Sequence, residues 1–187
     1  MPGREYEKAT ELAADQHGYL TTAQALEAGI SRDTLRKMGK RGALERVSWA
    51  VYRVPTFPLS PLGEYMEACL WPAGPVGVIS HESALAIRDL SDVNPAKVHI
   101  TLPRGFRVRR KVPKHLAIHN AGLSEDEIDL VEGIPTTTVR RTIEDCHRAN
   151  LGPTLLRQAI NEAVREGHFE SAEAEDLRAM VEGGTLP

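Results

Sequence analysis

Residues 21–54, TTAQALEAGISRDTLRKMGKRGALERVSWAVYRV, place helix starts and stops so close together that few folds can accept them. Thr21 and Gln24 have the spacing of a capping box, in which hydroxyl and amide satisfy backbone donors at a helix start. A helix is therefore expected from about Thr22 to Ala28. Gly29 can then take the left-handed conformation that a sharp turn between helices requires. Ser31 is placed to cap the next helix. There Leu35 and Met38 share one face, with Ile30 just before it, while Arg32, Asp33, Arg36, Lys37 and Lys40 occupy the other. Beyond Gly42, Leu44 to Val47 and Val51 to Val54 are β-prone runs around Ser48, Trp49 and Ala50, a hairpin signal. Tyr6 to His17 is expected to be the helix that completes a three-helix core, with Leu12 and Ala13 turned inward. The order is that of a winged helix-turn-helix.

Between Ser31 and Arg53 seven cations, Arg32, Arg36, Lys37, Lys40, Arg41, Arg46 and Arg53, oppose the acids Asp33 and Glu45. The segment is strongly basic inside a chain whose formal charge is -3. Clustered Lys and Arg neutralise phosphates and supply most sequence-independent affinity for DNA, so this asymmetry matters more than the total. A recognition helix lies in the major groove with its N-terminal residues at base edges. Ser31, Arg32, Asp33 and Arg36 are accordingly the predicted readers and Lys37, Lys40 and Arg41 the phosphate clamps, with Thr22 joining them from the preceding helix start. Arg46 and Arg53 on the wing are expected over the backbone or minor groove. An ordinary solvated helix face is the plain alternative. Cap, Gly turn, basic face and hairpin in the correct order argue against it.

The 187 residues suffice for one large or two small domains of a globular protein. No apolar run approaches the roughly 20 residues that span a bilayer, and Met1 to Arg4 leads into a polar helix and not an apolar signal core. A cytoplasmic location without membrane association is expected. Cys69 and Cys146 each sit in an apolar-periodic segment and read as small core residues, not as a disulfide. Val54 to Pro61 holds three prolines, which stop strands and helices, so the predicted boundary separates a winged domain, 1–55, from a second domain, 56–187. In the second domain helices are expected at Gly63 to Trp71 and at His81 to Leu90, the latter capped by Ser80. Lys97 to Pro103, Arg107 to Val112 and Leu116 to His119 read as strands of a small sheet. Ser124 with Glu127 repeats the capping box ahead of a short helix, and Thr138 to Ala149, Thr154 to Glu166 and Ser171 to Val181 read as further helices. The predicted class is α+β: an N-terminal winged helix-turn-helix followed by a mixed domain with a small β-sheet and several helices.

Four segments resemble the AbiEi family of type IV toxin-antitoxin antitoxins. GYLTTAQALEAGISRDTLRKMGKRGALERVSWAVYRV looks like the family's winged domain, whose second strand commonly ends in Gly-Val-Tyr; here Ala50-Val51-Tyr52 stands in that place. A glycine there would permit a positive φ that strains Ala. SHESALAIRDL resembles the helix opening the antitoxin domain, VHITLP its first strand, and GIPTTTVRRTIEDC its Gly-(Ile/Leu)-Pro, Thr, Arg-Thr, Asp signature. The resemblance implies a bifunctional regulator. Its winged domain would bind operator repeats, as a homodimer or cooperatively, and repress its own operon. Its second domain would counteract a nucleotidyltransferase toxin. In some related chains the same middle segment precedes a nuclease-like domain, which is expected to be missing here.

Arg104 to Lys114 forms a second basic cluster, open to two readings: a phosphate or toxin contact through Arg104, Arg107, Arg109 and Lys111, or a solvated hairpin. Arg141 is a candidate for the same contact, or an intrahelical ion pair with Asp145. His81, His99, His115, His119 and His147 lack ligand spacing such as His-Glu-x-x-His, so neither a metal, a cofactor nor a catalytic residue is predicted. The acids at 125–132 and 170–182 read as solvated helix faces. Two rival functions remain. A degenerate or metal-dependent nuclease-related DNA-binding protein would need convergent carboxylates with a Lys on a strand pair, which are not legible; an interaction module would use the basic helix on an acidic protein.

Overall fold

The structure, a computed structural model, describes residues 3–183. Two compact units divide it: Met1–Gly77 with Glu132–Ile134, and Val78–Val131 with Pro135–Pro187. The expected boundary after residue 55 thus falls inside the first unit, which also takes in the proline-rich segment and the helix beyond it.

The first unit runs α1 (Arg4–Ala14), β1 (Tyr19–Thr21), α2 (Thr22–Glu27), α3 (Arg32–Lys40), β2 (Glu45–Ser48), β3 (Val51–Arg53) and α4 (Gly63–Leu70). Helices α1 to α3 close around Ala9, Ala13, Leu20, Ala25, Ile30 and Leu35, all buried; of the residues expected inward, Ala13, Ile30 and Leu35 are in this core and Leu12 and Met38 pack against it partly buried. Helix α1 ends at Ala14, short of the predicted His17, because His17 and Gly18 both take positive φ and turn the chain. Gly18 is obligatory at that turn: a Cβ there would lie 2.8 Å from Cβ of Phe57, at φ +87°. Strand β1 was not expected. It pairs antiparallel with β3, Tyr19 opposite Arg53 and Thr21 opposite Val51, giving a three-stranded sheet in the order β1-β3-β2. Three residues are too few for alternation to show, and the partner strand lies far along the chain.

The second unit runs β4 (Val78–Ile79), α5 (His81–Ile87), β5 (Val98–Pro103), β6 (Leu116–Ala121), a 3-10 turn (Glu125–Glu127), β7 (Ile128–Val131), β8 (Ile134–Thr137), α6 (Val139–Arg148), α7 (Pro153–Arg165) and α8 (Ser171–Gly183). Its sheet has the order β6-β5-β4-β8-β7. Strand β4 pairs antiparallel with β5 and parallel with β8, and β5 pairs parallel with β6 from Val98 opposite Leu116 to Pro103 opposite Ala121. Helices α5 to α8 share a core of Leu85, Ile143, Leu156, Ile160, Leu177 and Val181. Cys69 and Cys146 are both fully buried, as small core residues.

The predicted strand at Arg107–Val112 is not formed; that stretch is irregular. A hairpin reading would have inserted it between its neighbours, whereas β5 and β6 pair with each other directly and in parallel. Residues 104–115 must then carry the chain back along the sheet, as a crossover and not as a strand.

At the wing tip Ala50 has φ 60°, the left-handed value for which a glycine is best suited, next to a register shift between Arg46 and Ser48. A left-handed L-residue costs about 1 to 2 kcal/mol, partly offset in glycine by its greater chain entropy. Ala50→Gly should therefore stabilise the protein by about 0.5 to 1 kcal/mol, read as a higher urea midpoint at unchanged slope.

Candidate nucleic-acid interface

The helix-turn-helix is fixed by backbone satisfaction at every junction. Thr21 Oγ1 accepts from the Gln24 backbone at 3.2 Å, and Gln24 Oε1 accepts the Thr21 N–H at 2.8 Å, completing the predicted capping box. At the other end of α2, Gly29, at φ 81°, donates to Leu26 and Ile30 donates to Ala25, the paired bonds of a Schellman turn. Ser31 Oγ accepts the Thr34 N–H at 3.1 Å and starts α3. Leu35 is buried, which turns Ser31, Arg32, Asp33, Arg36, Lys37 and Lys40 to solvent.

The exposed face is a cation field with one acid inside it. Asp33 accepts from Arg36 at 2.6 Å and Lys37 at 2.7 Å, and hydrogen bonds from Lys37 and then Arg36 hold its carboxyl below the usual range. Arg32, Lys40 and Arg41 form no ion pair among the described residues and are exposed. On the wing, the Arg46 guanidinium lies 5.5 Å from the ring centre of Trp49, which is 61% exposed. Between helix and wing is a hollow of about 240 Å³ lined by Thr22, Arg32, Leu35, Arg46, Trp49 and Tyr52. Trp49 was not among the predicted contacts; a tryptophan at a hairpin tip, where burial is scarce, was the available signal.

Residues 7–55 match the family model described as transcriptional regulator, AbiEi antitoxin. The family expected from the sequence is thereby found over the winged segment. No curated protein matches the chain. Among solved structures, the RV2827C protein from Mycobacterium tuberculosis superposes with a TM-score of 0.40 at 13% identity, over 96% of this chain and 82% of that one.

Within the AbiEi-like segment, two predicted contacts are occupied by the fold. Arg53 is buried: it donates to the Phe57 carbonyl at 2.6 Å and to Glu45 at 3.3 Å, so its charge is spent inside the protein and not on a phosphate. Thr22 is half-buried, and both its N–H, at 2.8 Å, and its hydroxyl, at 3.4 Å, point to the Ala50 carbonyl.

In the second unit Arg104, Arg107, Arg109 and Lys111 are exposed on the irregular β5–β6 connection. Arg141 is not available beside them. It donates to Asp145 through Nε at 3.0 Å and to Glu127 at 2.6 Å, with only 12% of its side chain exposed, so the intrahelical pair is the correct reading and the contact role is not. Arg148 joins the same Asp145 carboxylate. The Glu127 carboxyl is held below its usual value, first by the Ser124 backbone N–H and further by Arg141.

The fold also collects three histidines that the sequence left separate. His81 begins α5, His99 lies in β5 and His119 in β6, and their nearest ring nitrogens lie within 4.8 Å of one another. His119 Nε2 is 3.2 Å from His99 Nδ1, and the His81 and His119 rings stack at 3.6 Å. His81 Nδ1 meets Ser80 Oγ at 2.9 Å, which in turn accepts from Thr101 at 2.8 Å. Burial pushes all three pKa values down, that of His81 to about 4.

Arg141→Met should cost roughly 2 kcal/mol, because it leaves the buried Asp145 carboxylate with Arg148 alone and takes the arginine from Glu127, whereas Arg104→Ala should stay within about 0.5 kcal/mol; urea denaturation measures both. The depressed Glu127 carboxyl contributes stability that is present above its ordinary value of 4.5 and lost as pH falls through its lower folded value. Glu127→Gln should flatten that acid limb of the thermal midpoint against pH.

Proposed function

We propose that this chain is an antitoxin that represses its own operon by binding operator DNA through α3 and the wing, and that it counteracts a nucleotidyltransferase toxin. The exposed cation face of α3, set beside Arg46 and Trp49, carries the DNA half of this reading. The antitoxin half rests on the family description attached to residues 7–55 and on the resemblance of the later segments. The protein acts by binding and not by catalysis, in the cytoplasm; among the described residues no helix is long and apolar enough to cross a membrane. Homodimers, or cooperative pairs, occupy repeated half-sites.

Arg32 is the leading base reader, since it stands at the first position of α3 with no acid claiming it. Ser31, Asp33 and Arg36 share the groove. The Asp33 carboxylate orients Arg36 and Lys37 and can itself accept from a cytosine amino group. Lys37, Lys40, Arg41 and Arg46 meet phosphates, with Arg104, Arg107, Arg109 and Lys111 available as a further phosphate or toxin contact.

Fluorescence anisotropy of the duplex immediately upstream of the chain's own gene, beside a scrambled duplex at two salt concentrations, tests the DNA half. Preference for the upstream duplex with salt-sensitive binding supports it; equal weak binding to both refutes it. Arg32→Ala should lose about 1 to 3 kcal/mol on the preferred duplex and narrow the preference, while Lys40→Ala should weaken both alike and lower the salt slope by about 1. For the antitoxin half, co-expression with the neighbouring toxin gene should restore growth, and growth arrest despite soluble antitoxin would reject it.

A further inference from the structure

We propose that His81, His99 and His119 form a binding site for one divalent transition-metal ion of the zinc class. The site belongs to the second unit and stands apart from the DNA-binding reading.

Strands β5 and β6 create the first half of it. Their parallel register sets His99 opposite Ala117 and His119 opposite Thr101, so both histidines lie on the same face of neighbouring strands. The two nitrogens that meet are 3.2 Å apart. Two imidazoles on a tetrahedral zinc, each bonded at about 2.0 to 2.1 Å, have their nitrogens about 3.3 Å apart. The pair is therefore already at ligand spacing.

His81 supplies the third nitrogen. Its Nδ1 is engaged by Ser80 Oγ, itself held by Thr101, which leaves Nε2 as the ligand atom and anchors the ring from behind. Its backbone is at φ 53°, a left-handed value uncommon for residues other than glycine, in a chain segment that begins a helix. Glycine or asparagine would sit there more comfortably, yet neither would carry this imidazole into the group.

Donor chemistry selects the ion. Three imidazoles with no carboxylate or thiolate among them suit zinc, nickel or copper and discriminate against magnesium and calcium, which need oxygen. His99 and His119 are half-buried, so a solvent molecule can complete the coordination. Loading requires the stack of His81 on His119 to open so that both lone pairs converge.

The test is isothermal titration of the untagged, chelator-treated full chain with zinc chloride at neutral pH. One ion per chain is expected, with binding weakened on the order of 100-fold in His99→Ala and in His119→Ala and unchanged in His115→Ala, an exposed neighbour in the same unit. Circular dichroism checks that each variant is folded. Histidine ring nitrogen-15 spectra of the unmutated protein need no variant: zinc should shift the resonances of three histidines at one equivalent. Absence of saturable binding, unaltered binding by folded His99→Ala and His119→Ala, or shifts confined to other histidines would overturn the proposal.

Discussion

Beyond the β1–β3 ladder, one carbonyl group ties the tip of the wing to the start of α2. Ala50 O accepts the N–H of Thr22 at 2.8 Å, the first residue of α2, and so supplies from the hairpin tip a partner that a helix start would otherwise seek from water. Ala50 makes this contact from the left-handed conformation it adopts. The hydroxyl of Thr21, one residue earlier, is committed to Gln24, so helix start and wing tip are joined through adjacent residues. Arg53 fixes the base of the same hairpin by tying β3 to Glu45 and to the chain entering the proline-rich segment at Phe57. Trp49, Arg46 and the start of α3 can line a common hollow because the hairpin is tied at both ends.

That arrangement divides the arginines into those the fold uses and those it leaves over. Arg53 and Arg141 carry the same charge as Arg32 and Lys40, and sequence offered all four as contacts, Arg141 with an intrahelical ion pair as its alternative. Burial separates them. A guanidinium with several donors that reaches a carbonyl and a carboxylate, or two carboxylates, offsets its own desolvation, and removing it would take a charged donor from each of those partners. The cations of α3 instead surround a single acid on an exposed surface, where such pairs contribute little to stability. Their clustering therefore has no strong structural account, which is what makes it informative about a polyanionic ligand.

What the sequence made legible was local. The capping box at Thr21, the Gly29 turn, the Ser31 cap, the Ser124 box and the spans of α6 to α8 all follow from spacings of a few residues, and the structure has each of them. The misses are non-local. Strand β4 is two residues long and exists only because β5 and β8 flank it. The stretch Arg107–Val112 has the right alternation and indeed exposes Arg107, Arg109 and Lys111, yet parallel pairing of its neighbours denies it a ladder. The histidines are a third instance: their separations match no ligand motif, and only the β5–β6 register reveals that His99 and His119 share a face.

Ala50 and His81 are both non-glycine residues at left-handed φ, and the contrast between them separates two kinds of strain. At Ala50 the function is carried by the backbone carbonyl, so any residue that tolerates the angle would serve, and the methyl group contributes nothing visible to the turn. At His81 the ring touches Ser80, stacks on His119 and lies 5.9 Å from His99. Strain at this position is held in place by the side chain. Burial also keeps that imidazole neutral at ordinary pH, so the stack avoids the repulsion that two charged rings would face at this separation. A neutral ring held by Ser80 at the left-handed junction between β4 and α5 is an arrangement that core packing alone does not require, since an apolar side chain would fill the same space without hydrogen bonds to satisfy.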